Sequence, residues 1–170
     1  MDGKDDPLIM RILTRQYEWL VQTREVLFQY CETIAASDYV RDMESFGGGS
    51  MRSLQAHAAD CYRFWLGGFA LKRTLPPVPA EQVLHVRAMR EVFAGVDLLV
   101  GEFLNEFEDQ PDLEILGSPS WQEDAVAITP LWLFTHTATH EFHHKGQILS
   151  MGRQLGYSPM MTDLYYPEGK

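Results

Sequence analysis

The sequence predicts an all-α protein built as a four-helix bundle, and three observations carry that expectation. Apolar residues recur at helical spacing over four long stretches, and proline and glycine clusters separate them. The 170 residues, 45% hydrophobic and 22% charged, fit one soluble domain over residues 1–170 with a substantial core. The helices are expected at about 7–36, 50–71, 80–108 and 129–155.

In the first helix Ile9, Leu13, Leu20, Leu27 and Ile34 recur near seven-residue spacing, with Ile12, Trp19 and Val26 on an adjacent line. That pattern is a long amphipathic helix of the kind that packs in a bundle. Asp38 marks a turn, and Gly47, Gly48 and Gly49 form a flexible connection. The glycine run lacks the Lys and Ser/Thr of a Walker motif, so it is not read as a phosphate loop. Ser50 or Ser53 caps the second helix, in which Leu54, Cys61, Phe64, Trp65, Gly68 and Leu71 share an arc with His57. Pro76, Pro77 and Pro79 break the chain before the third helix, whose apolar side carries Val83, Val86, Met89, Val92, Phe93, Val96, Leu99, Val100, Phe103 and Phe107. His85 is isolated there and reads as an ordinary polar residue.

Residues 109–128, with Pro111, Gly117, Pro119 and Trp121, are too long for a tight hairpin. This connection is expected to cross one end of the bundle and wall the metal pocket. Thr129 and Pro130 start the fourth helix, since Thr caps free N–H groups and Pro at the first position loses nothing, and Gly156 stops it. The aromatic tail after Gly156 has no helical period and should pack back on the surface or on a partner.

Charge and cysteine usage narrow the function. With 24 acidic against 14 basic side chains, net charge −10, and no basic patch, the chain would repel a phosphate backbone, so no nucleic-acid partner is expected. Cys31 and Cys61 make neither a CxxC pair nor a disulfide framework, which suits a reducing compartment. The acidic start MDGKDDP does not read as a secretory signal, and no apolar run approaches the roughly 20 residues of a membrane span. A cytoplasmic protein without a membrane partner is expected.

The fourth helix departs from an ordinary core helix. At about 100° per residue, Leu133, Thr137, His140, His144, Gln147, Ile148, Met151 and Leu155 fall in one core-facing stripe. His140 and His144 project from successive turns of that stripe, as do the paired histidines of an H-E-x-x-H metal helix. A buried imidazole without a partner costs a few kcal/mol, and a metal bond satisfies it. The competing reading makes these rings core histidines bonded to a hydroxyl or carbonyl. His57, pointing inward from another helix, completes a three-nitrogen set and favours the metal. His136 and His143 lie on the stripe's shoulder, as substitute ligands or, more simply, as polar rim residues. Cys61, one turn after His57, is either a fourth ligand or plain packing, and packing is preferred. Asp60 and Glu141 are candidates to orient a ring or serve as general base, or else are solvated carboxylates. Ala138, Phe142 and Leu149 lie opposite the histidines, so this helix buries a second face against a helix or a second subunit.

The run LQAHAADCYRFWLGG in the second helix, HEFHHKGQ in the fourth and the ending QLGYSPMMTDL together resemble the DinB/YfiT-like metalloenzyme superfamily, in helix order over essentially the whole chain. The resemblance implies a four-helix bundle of up-down-down-up topology, a homodimer, and a divalent metal held by three histidines. Those histidines fall on His57, His140 and His144, with His143 at a variable position and Lys145 where many members carry Arg. Members include metal-dependent S-transferases using thiols such as bacillithiol or mycothiol, and a mycothiol-dependent maleylpyruvate isomerase. The function expected is a metal-dependent thiol S-transferase. Its single transition metal ion, Zn or Ni ahead of Mn or Fe, would activate a low-molecular-weight thiol, or water as in a hydrolase, against an electrophilic small-molecule substrate. The alternative is a non-catalytic dimeric metal-binding or stress-response protein. No catalytic residue beyond the Asp60 and Glu141 candidates is assigned.

Overall fold

The apolar periodicity becomes four long helices in the computed structural model, which describes residues 7–119 and 124–164; Trp121 and the end of the tail lie outside them. These helices are α1 (Pro7–Glu32), α3 (Met51–Tyr62), α4 (Val86–Glu106) and α5 (Pro130–Gln154), with a short α2 (Ala36–Tyr39) after the first. The described chain is mostly helical, with one departure from all-α. The connection before α5 contains strands β1 (Ile115–Gly117) and β2 (Val126–Ile128), paired antiparallel with Ile115 opposite Ile128. The strands rest on the end of the second helix. A Cβ on Gly117 would lie 2.4 Å from the Phe69 ring, and Lys72 Nζ donates to the Leu116 carbonyl at 2.7 Å. Any larger residue there would have to displace the Phe69 ring.

Caps set several boundaries. Ser50 and Ser53 form a reciprocal capping box on α3, each side-chain oxygen accepting the other's N–H, at 2.8 and 3.1 Å. Thr129 Oγ1 accepts the Trp132 N–H, with Pro130 in the first turn of α5. Gly156, at φ +92°, ends α5: its N–H and that of Tyr157 bond the carbonyls of Arg153 and Gly152, a Schellman pattern.

Other boundaries depart from the periodicity. The first helix stops at Glu32 rather than continuing to 36, because the Ala35 N–H donates to the Tyr157 hydroxyl, which donates in turn to Asp38. The glycine run is a hydrogen-bonded turn rather than a loose connection. Gly47 and Gly48 take φ of +66° and +79°, and the Met43 N–H bonds the Gly49 carbonyl. Beyond Tyr62 the second helix widens into a π-helical segment, Arg63–Ala70. There Gly67 meets Leu75 so closely that a Cβ would lie 2.4 Å from it. The third long helix begins at Val86 instead of 80, since His85, in extended backbone, caps it by accepting the Ala88 N–H on Nδ1.

Both α1 and α3 pack on α4 and α5. Tyr62, Leu66, Met89, Val96, Phe103, Leu133, Ile148 and Met151 fill the interior. The described tail packs back as expected: Tyr157 on α1 and α2, and the Thr162 carbonyl on Lys145 Nζ. No described helix is long and apolar enough to cross a membrane.

Candidate metal centre

The helices α3 and α5 run antiparallel, so each step of four residues up α3 meets a step of four back down α5. His57 faces His140 and His144, with ring centroids 5.0 and 4.9 Å away. Eight residues on, in the π-helical continuation of α3, Trp65 faces His136 and Trp132 at 5.4 and 5.8 Å. The i, i+4 spacing within each helix puts these side chains on one seam.

His57, His140 and His144 each offer one ring nitrogen, and these atoms lie within 4.8 Å of one another. Nε2 of His140 and Nε2 of His144 are 3.0 Å apart. His144 is buried, His140 half-buried and His57 exposed, so the group opens to solvent on the His57 side. Burial and the neighbouring rings of His144 and His57 push the His140 pKa down to about 4. Burial also lowers that of His144, against the opposing effect of its hydrogen bond to Gln147. Both rings are therefore neutral near pH 7, the state in which an imidazole nitrogen can bind a metal. Gln147 Oε1 lies 2.7 Å from His144 Nδ1. As acceptor it keeps the proton on Nδ1 and turns the Nε2 lone pair toward the other rings. Such a bond commonly orients a ligating histidine. Gln147 stands on the predicted stripe three residues after His144, and that spacing is the signal for this role.

The two carboxylate candidates sit elsewhere. Glu141 is buried, and Arg24 donates to it through Nε to Oε1 at 2.7 Å and through Nη2 to Oε2 at 3.0 Å. The Tyr62 hydroxyl donates to Oε2 at 2.8 Å. Arg24 also donates to Asp97 Oδ1 at 2.6 Å, as does the Tyr17 hydroxyl at 2.7 Å. Burial disfavours the Arg24 charge, but Glu141 more than compensates and raises its pKa above the ordinary arginine value. Asp60 accepts the Val78 N–H at 2.8 Å, tying the proline-rich connection to α3. Neither carboxylate is bonded to an imidazole: Glu141 is turned about 100° round the axis from His140 and is held by Arg24 and Tyr62, and Asp60, three residues after His57, is bonded to the Val78 N–H. Arg24 carried no warning in the sequence, because a charge on an amphipathic helix ordinarily faces water.

His136 stacks nearly parallel on Trp132, centroids 4.9 Å apart at 5°, and lies 5.8 Å from the His140 ring. His143 is exposed beside His144 and joins no donor group among the described residues. Cys61 is buried and lies outside the three-histidine group, so it is not its fourth ligand; its sulfur belongs with His136 and His140 instead. The connection before α5 walls a cavity other than the metal pocket expected of it. It is about 500 Å³, lined by Trp65, Pro119, Val126 to Thr129 and Trp132. This cavity lies along the seam past His136 and contains none of the three clustered histidines in its lining.

Curated proteins give no significant match to the sequence. The DinB family model matches residues 10–169, a span that takes in all but the first three residues of α1, the later helices and all three clustered histidines. The chain belongs to the DinB family.

Proposed function

We propose that the protein is a divalent-metal-dependent enzyme that activates a low-molecular-weight thiol, or water, for attack on an electrophilic small molecule. The observation that carries this reading is the grouping of three ring nitrogens, from His57, His140 and His144, within 4.8 Å of one another. The donor set suits the group: neutral imidazoles favour Zn and Ni, and accept Fe or Mn less readily. When bound, such an ion supplies Lewis acidity that lowers the pKa of an adjacent thiol or water. The chain's own residues do the rest. Gln147 holds the His144 ring, and exposed His57 leaves an entrance for a small molecule. Among the described residues no fourth His, Cys, Asp or Glu completes the group, which supports an open position rather than a closed structural site. The aromatic cavity at Trp65 and Trp132 would receive the electrophile's apolar part.

The test is elemental analysis of untagged protein, with His57→Ala, His140→Ala and His144→Ala alongside. About one divalent ion per chain, lost in each variant with helicity retained, supports the site; metal-dependent consumption of thiol with a model electrophile then supports the reaction. Retained metal in all three variants would overturn the ligand set. A bound ion that no exogenous thiol or azide perturbs would make the site structural.

We further propose that residues 1–170 form one domain, an up-down-down-up bundle of α1, α3, α4 and α5 that works in the cytoplasm as a homodimer. The packing of α1 and α3 on the same two helices supports the bundle. Trp19, Phe142 and Leu164, all exposed around an apolar groove between α1 and α5, support a two-fold contact there. Sedimentation of Phe142→Glu against wild type tests it: a monomer is expected, and an unchanged dimer would move the interface elsewhere.

A further inference from the structure

The histidine seam holds a second donor group, one helical turn from the first. Cys61 Sγ and one ring nitrogen each from His136 and His140 lie within 4.8 Å of one another. The group repeats the geometry of the first. A residue of α3 faces two residues of α5 four apart, with Cys61 in place of His57, and His136 and His140 in place of His140 and His144. His140 belongs to both.

We propose that Cys61, His136 and His140 form a binding site for a thiophilic metal ion, Cu(I) or Cd(II) in class, which takes His140 away from the three-histidine group. The donor chemistry separates the two groups. Three imidazoles suit borderline divalent ions, while a thiolate with two imidazoles selects softer ones. Zinc–sulfur bonds of about 2.3 Å and zinc–nitrogen bonds of about 2.0–2.1 Å place donors roughly 3.5 Å apart in a tetrahedral site, and the larger Cd(II) spreads them further, towards the 4.8 Å within which these three atoms lie. On binding, the S–H bond of Cys61 breaks, its proton passes to solvent and the sulfur–metal bond forms with no change in oxidation state. Burial holds the thiol pKa up at about 12, so without an ion Cys61 stays a protonated core residue rather than a reactive nucleophile. His136 reaches the site with its ring held against Trp132. One nitrogen lone pair of His140 serves one ion, so occupancy of the second group empties the first. A soft ion would then switch off whatever the three-histidine group does.

The experiment titrates the full chain, freed of metal, with Cd(II) and follows the ultraviolet sulfur-to-cadmium charge-transfer absorption. One ion per chain with that absorption is expected in wild type and in His57→Ala, which keeps all three donors. Cys61→Ser should lose the absorption, and His136→Ala should weaken binding at least tenfold while retaining native circular dichroism. A second titration adds Cd(II) to Co(II)-loaded protein, and the d–d absorption of cobalt should be lost as the charge-transfer band grows. Absence of the band in wild type, equal affinity in His136→Ala, its loss in His57→Ala, or cobalt absorption that survives cadmium saturation would overturn the proposal. The His57→Ala result separates the two sites. That variant removes a ligand of the first group only, so failure of the three-histidine reading leaves the cadmium outcome to be judged separately.

Discussion

Replacing Arg24 by Met should destabilise the protein by about 3–5 kcal/mol, the usual cost of removing one partner from a buried ion pair. The Arg24 side chain is 3% exposed and that of Glu141 9%, so the pair is shielded from the water that makes surface pairs weak. Met fills much of the arginine's volume but withdraws two charge-assisted bonds from Glu141 and one from Asp97. Glu141 would keep only the Tyr62 hydroxyl as a partner. Asp97 is 38% exposed and can turn to solvent, so the penalty falls mainly on Glu141. For a chain of this length the loss corresponds to a Tm drop of roughly 6–20 °C. Urea unfolding followed by circular dichroism measures it, and the double variant Arg24→Met, Glu141→Leu should recover most of the loss, because no buried charge is then left unpaired. Metal stoichiometry should be unchanged in both variants. A loss below about 1 kcal/mol, or no recovery in the double variant, would refute the argument that this pair is a buried fastening between α1 and α5. Abolished metal binding with native stability would instead return Glu141 to the metal centre.

Three further outcomes follow from the geometry. Gln147→Leu should lower metal affinity about 10–100-fold without changing stoichiometry, since the ring of His144 loses its orienting bond; isothermal titration reads it, and unchanged affinity would remove Gln147 from the site. The metal-free protein should lose stability as pH falls from 6.5 towards about 4. The folded His140 resists protonation while the unfolded one accepts it, so the unfolded state binds more protons throughout that window. Urea midpoints across the range should fall less steeply in His140→Ala, and equal slopes would contradict this. Gly152→Ala should cost about 1–3 kcal/mol, because the new Cβ would lie 1.9 Å from the Tyr30 hydroxyl where α1 and α5 approach; an unchanged urea midpoint would mean that α1 can yield there.

Much of the protein was legible in the sequence because helix formation is local. The stripe of α5, the caps at Ser50 and Thr129 and the stop at Gly156 depend on residues within one or two turns, and each appears in the fold. The shared stripe of His140 and His144 is a local property too, whereas His57, expected to point inward, is exposed at the edge of the seam, and packing α3 against α5 brings the three rings together. Tertiary structure alone decided which distant groups meet. The salt bridge between Arg24 and Glu141 joins residues 117 apart, and the hydroxyl of Tyr157 ends α1 from the other end of the chain. Neither leaves a local trace, since an arginine on a helix face reads the same whether water or a carboxylate receives it. The strands β1 and β2 pair across the connection with Gly117 seated against Phe69 of the second helix, and the second donor group exists because α3 and α5 meet in one register. A shift of one turn along that seam would pair the same residues differently. Local periodicity specifies which face a side chain occupies, and only the packed interface specifies what stands opposite it.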